Sequence, residues 1–207
     1  VPILEQLKPQ KRVKLFLLLP KDLSVKCFVG LSYQTKQVLL QSLTDDEIKS
    51  LMAELVVDET VTLVKEMPFK IVKRIMSQSN EETKEYINTI LSYPNESVGR
   101  CMSNQYLSVS HQSTVKQALL FVKKSKIKAT NFYNVYITDD SNKLLGMISI
   151  KKLLQSDSDE NICNVMEKNI IFAHTSENKK LAASKILDYN LTSLPIVNET
   201  NHLVGVI

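Results

Sequence analysis

Leu91–Met102 reads LSYPNESVGRCM, and the pattern of the chain changes across it. Pro94, Asn95, Ser97 and Gly99 are turn formers crowded into this short run, and such a cluster interrupts regular structure. Upstream of it, apolar residues fall only at helical spacing. Downstream, strand-like and helix-like segments alternate. A change of architecture at a cluster of turn formers marks a domain joint. The chain is therefore expected to be multidomain: residues 1–91 form one part, 92–100 the joint, and a mixed region begins at 101.

The upstream part repeats every 24 residues. Ile3, Cys27, Leu51 and Ile75 form one series, and Leu4, Phe28, Met52 and Met76 another. Leu7, Leu31 and Leu55 follow, then Leu15, Leu39, Leu63 and Ile87, then Leu19, Leu43, Met67 and Leu91. Five apolar series with one offset predict a stacked helical array with two short helices per unit. Pro20 and Pro68 are placed to open helices, and Thr44 with Glu47 makes a capping box. Ser79 with Glu82 is read as a second box, and Ser32 and Asp58 as caps of the intervening helices. No unit buries its apolar stripe alone, so neighbours must stack into an all-α superhelix.

The downstream part holds a second repeat. Met102 matches Met166, Val109 matches Ala173 and Ala118 matches Ala182, all at an offset of 64. The offset then falls to 59: Leu144 matches Leu203, and Gly146 matches Gly205. The first copy therefore carries five extra residues near Ser125 to Thr130. Each copy reads as strand, helix, strand, polar turn and strand, and the first adds a helix from about Ile150 to Leu154. Gly146 and Gly205 fall inside strands, where a bulge or close backbone approach is expected.

Composition narrows the functional classes. The chain has 207 residues and 43% hydrophobic side chains, enough for sizeable cores, and a net charge of +4. Its densest basic patch, Lys116, Lys123, Lys124, Lys126 and Lys128, lacks the aromatic platforms that single-stranded nucleic acid wants. It is read as a solvated face, with no nucleic-acid partner. Cys27, Cys101 and Cys163 stand at no zinc spacing with His111, His174 or His202. With four glycines in the whole chain, no phosphate-cradling loop is found, nor a nucleophile elbow or a metal-ligand His pair. No catalytic residue is assigned, and an enzyme is not expected. No apolar run reaches membrane-span length. The start at Val1 and the strand-like end at Ile207 are read as those of a piece of a longer protein.

NVYITDDSNKLLGMISIKKLL and SLPIVNETNHLVGVI carry a β-α-β-β-α pattern that resembles a CBS domain, so two in tandem resemble a CBS pair. A helical superhelix, then LSYPNESVGRCMSNQYLSV, then such a pair resembles the cytosolic region of MgtE-type magnesium transporters. The resemblance implies an all-α N domain over 1–91, a first α+β CBS domain over 101–157 and a truncated second over 158–207. It also implies a homodimer through the CBS domains, on the cytoplasmic face of the cell membrane. A multi-pass membrane pore domain of the same chain would follow. Regulatory Mg²⁺ would dock the N domain on the CBS pair and close the pore. The other reading kept open is a soluble CBS-type adenine-nucleotide sensor with a helical adaptor arm.

Carried over residue by residue, the family's metal ligands fall on Glu59, beside Asp58, on Gly99 through its carbonyl, and on Asn190. Two further acidic positions of the family fall on Lys26 and Lys180, which repel Mg²⁺. The plainer reading makes Glu59 a solvated helix residue, Gly99 a turn glycine and Asn190 a helix cap. CBS pairs also hold ATP and related nucleotides. The acid that takes the ribose in the family is Lys152 in the first copy, so the residues give ATP weak support. Mg²⁺ is the cofactor expected.

Overall fold

A computed structural model describes residues 1–125 and 133–207. It divides into two compact units, Val1–Leu91 and Ser92–Ile207. Lys126, Lys128 and most of the five-residue insertion lie outside the described residues.

The first unit is helical: α1 Pro2–Gln6, α2 Pro9–Leu17, α3 Lys21–Val29, α4 Tyr33–Ser42, α5 Asp45–Glu54, α6 Val57–Glu66, α7 Phe69–Gln78 and α8 Glu81–Ser92. The starts of α2, α4, α6 and α8 are 24 residues apart, and so are those of α3, α5 and α7. Burial at matching positions is not uniform. Ile75 is 0% exposed, while Ile3, at the same place in the first unit, is 70% exposed.

Local chemistry sets the helix ends. Thr44 Oγ1 accepts from Glu47 N–H at 3.3 Å, and Glu47 Oε2 accepts from Thr44 N–H at 2.7 Å, completing the capping box. Ser32 caps α4 through Thr35 N–H. Two expected caps are corrected. Val56, not Asp58, precedes α6, and Asp58 lies in its first turn. Ser79 closes α7 by donating to Ile75 O at 2.8 Å, and Asn80 Oδ1 accepts from Thr83 N–H in α8. Arg74 donates to Leu40 O at 2.8 Å, Leu43 O at 2.7 Å and Asp45 Oδ1 at 2.7 Å. It thereby satisfies the open carbonyls at the end of α4 and ties them to α5 and α7. Glu5 accepts from Ser32 N–H at 2.6 Å and from the Thr35 hydroxyl, and these bonds hold its carboxyl below the usual range.

The second unit contains β1 Leu107–Ser110, α9 Val115–Lys124, β2 Asn134–Thr138, β3 Leu144–Ser149, α10 Ile150–Gln155, α11 Ile162–Val165, β4 Ala173–His174, α12 Lys179–Asp188, β5 Pro195–Val197 and β6 Leu203–Val206. They build two sheets, β1-β2-β3 and β4-β5-β6. In each, the first pair is parallel and the second antiparallel, with a bulge at Ile137/Thr138 or Ile196/Val197. Leu107, Val115, Ala118, Val135, Ile137, Ile148, Leu153 and Ile162 form the core of the first copy. In α12 the expected apolar face divides: Ala182 is 1% exposed, but Leu181 is 61% and Leu187 79% exposed.

The copies exchange their leading segments. Ser103 pairs with Val206 of the second copy, at 2.8 and 2.9 Å, and Glu167 pairs with Met147 of the first, at 2.8 and 3.0 Å. The strand glycines sit beneath these crossings. A Cβ on Gly205 would lie 2.8 Å from Met102 Sδ and 2.9 Å from Ser103 O. On Gly146 it would lie 2.6 Å from Met166 Sδ and 2.8 Å from Glu167 O. Both the bulges and the close approach expected for these glycines are present.

Candidate functional site

The sequence-derived positions distribute over both units. Glu59 is half-buried in the first turn of α6 and lines a cavity of about 280 Å³ with Phe28, Val29, Lys36, Leu55, Thr62 and Leu63. Lys36 Nζ stands 6.0 Å from the centre of the Phe28 ring in the same wall. Lys26 is exposed in the last turn of α3.

Gly99 is buried in a 3-10 turn, Val98–Arg100, which the sequence reading placed in the joint. Residues 96–103 are hydrogen-bonded into the second copy. Val98 N–H donates to Glu177 O at 2.8 Å, Gly99 N–H to Thr175 O at 2.9 Å, and Lys179 N–H to Glu96 O at 2.8 Å. Lys179 Nζ also pairs with Glu96 Oε1 at 3.1 Å. A Cβ on Gly99 would meet the Tyr93 ring at 2.7 Å, so packing alone requires glycine there. Glu177, beside this strap, is half-buried. Burial raises its carboxyl, but bonds from Lys185 Nζ at 2.7 Å and His174 N–H at 2.8 Å outweigh it and hold the group low.

Asn190 follows α12 in the left-handed region, at φ 49°. Its N–H donates to Leu187 O at 3.2 Å, and Leu191 N–H donates to Ile186 O at 2.9 Å. This is the hydrogen-bond pair of a Schellman ending, and Asn tolerates the conformation it needs. Gly99 is held at the start of α12 and Asn190 stands beyond its end. A ten-residue helix, roughly 15 Å at 1.5 Å per residue, lies between them. The structure does not bring these two residues to one point. Lys180 is exposed in the first turn of α12, the end that carries Gly99.

The donors these positions offer are a carboxylate, a main-chain carbonyl and a carboxamide. All are hard oxygens, the kind Mg²⁺ takes while keeping several waters, so the set fits the ion in kind. Among the described residues, no group of three or more His, Cys, Asp or Glu side chains is arranged to hold a metal ion.

At the other end of the first copy, Ser149 caps α10 and Lys151 and Lys152 are exposed in its first turn. Nearby is a polar network that the sequence reading missed. Asn134 Nδ2 donates to Thr192 Oγ1 and Ser193 Oγ at 3.1 Å, and the Tyr136 hydroxyl lies 2.7 Å from Ser193 Oγ. Burial pushes the Tyr136 hydroxyl up to about 12, against the opposing bond from Ser193. Asn134 and Ser193 occupy the same place in the two copies, at the offset of 59. A polar residue heading each apolar strand was the available signal. No helix among the described residues is long and apolar enough to cross a membrane.

Comparison with known proteins gives two family matches. The MgtE intracellular N domain matches residues 1–96, and the CBS domain matches 98–159 and 162–207. The magnesium transporter MgtE of Enterococcus faecalis is 30% identical over 128 residues, 62% of this chain and 28% of that protein. The matched stretch thus spans less than a third of that relative. Among solved structures, the cytosolic domain of the Mg²⁺ channel MgtE in complex with ATP aligns with all of this chain and 84% of that one. The TM-score is 0.88 and the identity 24%. The soluble part of a magnesium transporter aligns with a TM-score of 0.89 at 23% identity, over all of this chain and 81% of that one.

Proposed function

The chain belongs to the MgtE family through its N domain and to the CBS-domain family through the pair that follows, and on that premise we propose that it is the Mg²⁺-sensing gating region of a magnesium ion transporter. The observation that carries this is the joining of an MgtE-type N domain to a CBS pair in one chain. The function is ion-linked docking of the N domain on the pair, with no covalent step. It would act on a membrane pore domain of the same protein, from the cytoplasmic face of the membrane. Glu59, Gly99 and Asn190 each offer an oxygen to the regulatory ion, Gly99 and Asn190 from opposite ends of α12. A bound ion would supply the positive charge that holds carboxylate and carbonyl oxygens together. Lys26 and Lys180 weaken that attraction by repulsion, so sensing should demand more Mg²⁺ than a fully acidic site would.

The second unit also supports homodimerisation. Leu120, Phe121 and Leu154 of the first copy and Leu181, Leu187 and Tyr189 of the second are between 45% and 79% exposed. Helical faces this apolar mark association surfaces. Light scattering should give a dimer mass, and a monomer at all concentrations would refute it. A relative's structure holds ATP, which supports a nucleotide input at the Lys151–Lys152 end. Calorimetric titration with ATP tests that input.

The deciding experiment is small-angle scattering during Mg²⁺ titration at constant ionic strength, with K⁺ and Ca²⁺ as controls. Compaction specific to Mg²⁺, blunted by Glu59→Ala, is expected. Scattering that does not change with Mg²⁺ would overturn the docking mechanism for this chain.

A further inference from the structure

The internal symmetry of the second unit reveals a pocket whose symmetry mate is filled by the protein itself. The pocket measures about 320 Å³. Lys143, Leu144 and Leu145 of the first copy form one wall, and Lys168, Ile170, Phe172, Val197 and Asn201 of the second are among the residues that complete it. At the offsets of 64 and 59, Tyr106 matches Ile170, Leu203 matches Leu144, and Asn142 matches Asn201. Tyr106 is half-buried at the mated place. Its hydroxyl donates to Leu203 O at 3.2 Å, where Asn142 Nδ2 also donates at 2.8 Å. Its ring stands edge-on to Tyr136, with centroids 6.3 Å apart. On the pocket side Ile170 has neither ring nor hydroxyl. The matching elements, Leu144 and Asn201, line the open space instead.

The charges differ as well. The positions matching Lys143 and Lys168 are His202 and Asn104. The open pocket therefore carries two exposed lysines where its filled mate carries none. We propose that this pocket binds a small aromatic anion, a phenol-like ring carrying a carboxylate or phosphate. The ring takes the place that Tyr106 takes in the mate, and Lys143 and Lys168 receive the anionic group. Because the walls come from both copies, such a ligand would staple one copy to the other. The pocket lies at the Leu144 end of β3, whereas Lys151 and Lys152 follow its Ser149 end. At 3.4 Å per residue these ends are roughly 17 Å apart, so the pocket is separate from the nucleotide end.

The test is calorimetric titration of the chain with para-hydroxybenzoate and with phenyl phosphate. Cyclohexanecarboxylate and inorganic phosphate serve as controls for ring and anion alone. One site per chain with affinity of about 1 mM or better is expected, and saturating ATP should not displace the probe. Ile170→Tyr, which supplies the ring from the protein, should abolish binding. Lys143→Ala with Lys168→Ala, both surface changes, should weaken it about tenfold or more by removing the charge-assisted contacts. Lack of binding by either aromatic anion, equal binding by the non-aromatic carboxylate, undiminished binding in the double lysine variant, or displacement by ATP would each overturn the proposal. A probe that still binds Ile170→Tyr at full strength would do the same.

Discussion

The helical array and the paired α/β copies both arise from internal repetition, but they use it in opposite ways. In the array a unit is related to the next by a constant step of 24 residues, and contacts run to neighbours. In the pair, each copy reaches across to the other's sheet, Ser103 to Val206 and Glu167 to Met147. In the array matching positions differ in burial, Ile3 being exposed where Ile75 is buried. In a reciprocal exchange each copy completes the other. Repetition by translation grades stability along the chain, and repetition by exchange pools it.

Five changes would break or sharpen this contrast. The largest effect is expected for Ile75→Ala, which should cost about 3.5 kcal/mol as a core truncation. Ile3→Ala, at the same repeat position, should stay within about 0.5 kcal/mol as a surface change. Denaturant unfolding followed by circular dichroism measures both, and equal costs would contradict the grading. Gly146→Val comes next, at about 3 kcal/mol, because its side chain meets the Glu167 carbonyl as well as Met166. Calorimetry should find both copies melting together at a lower temperature. An undisturbed transition for the second copy would argue against pooling. Thr44→Ala removes one capping bond and should cost about 1 kcal/mol, read as a shift in denaturation midpoint. Glu177→Gln should act through pH. The Glu177 carboxyl is held below its ordinary 4.5, so the stability it lends is complete above about pH 4.5 and is lost as pH falls through the lower folded-state value. The variant should flatten that acid limb, and an unchanged limb would remove Glu177 from the account.

How much was legible in the sequence follows the same division. The array was readable because translation leaves a constant offset, and helix starts recur at that offset. Its caps were less so. Ser79 and Asp58 have the right chemistry, but a cap depends on which residue the helix end reaches, and Val56 and Asn80 stand there. In the pair, Met102, Met166, Gly146 and Gly205 were visible as matched positions. That each methionine covers the other copy's glycine was not visible, since two copies with the same pattern look alike whether or not they exchange segments. Leu181 and Leu187 read as core because periodicity marks an apolar face without saying what covers it. Among the site positions, Gly99 and Asn190 each have a structural reason to be where they are, in the Tyr93 contact and the helix ending. Residue identity alone did not separate those reasons from ion binding.

The crossing at Ser103 has a consequence for the order in which the protein is made. The strap precedes the first copy in sequence, yet its partner is Val206, 103 residues later. At roughly 5–20 residues per second the ribosome needs on the order of 5–20 s to deliver that partner. The array can close turn by turn as it emerges, because its contacts are local. During that interval the strap has no strand to pair with. Only when Val206 arrives can the seam begun at Ser103 be sealed.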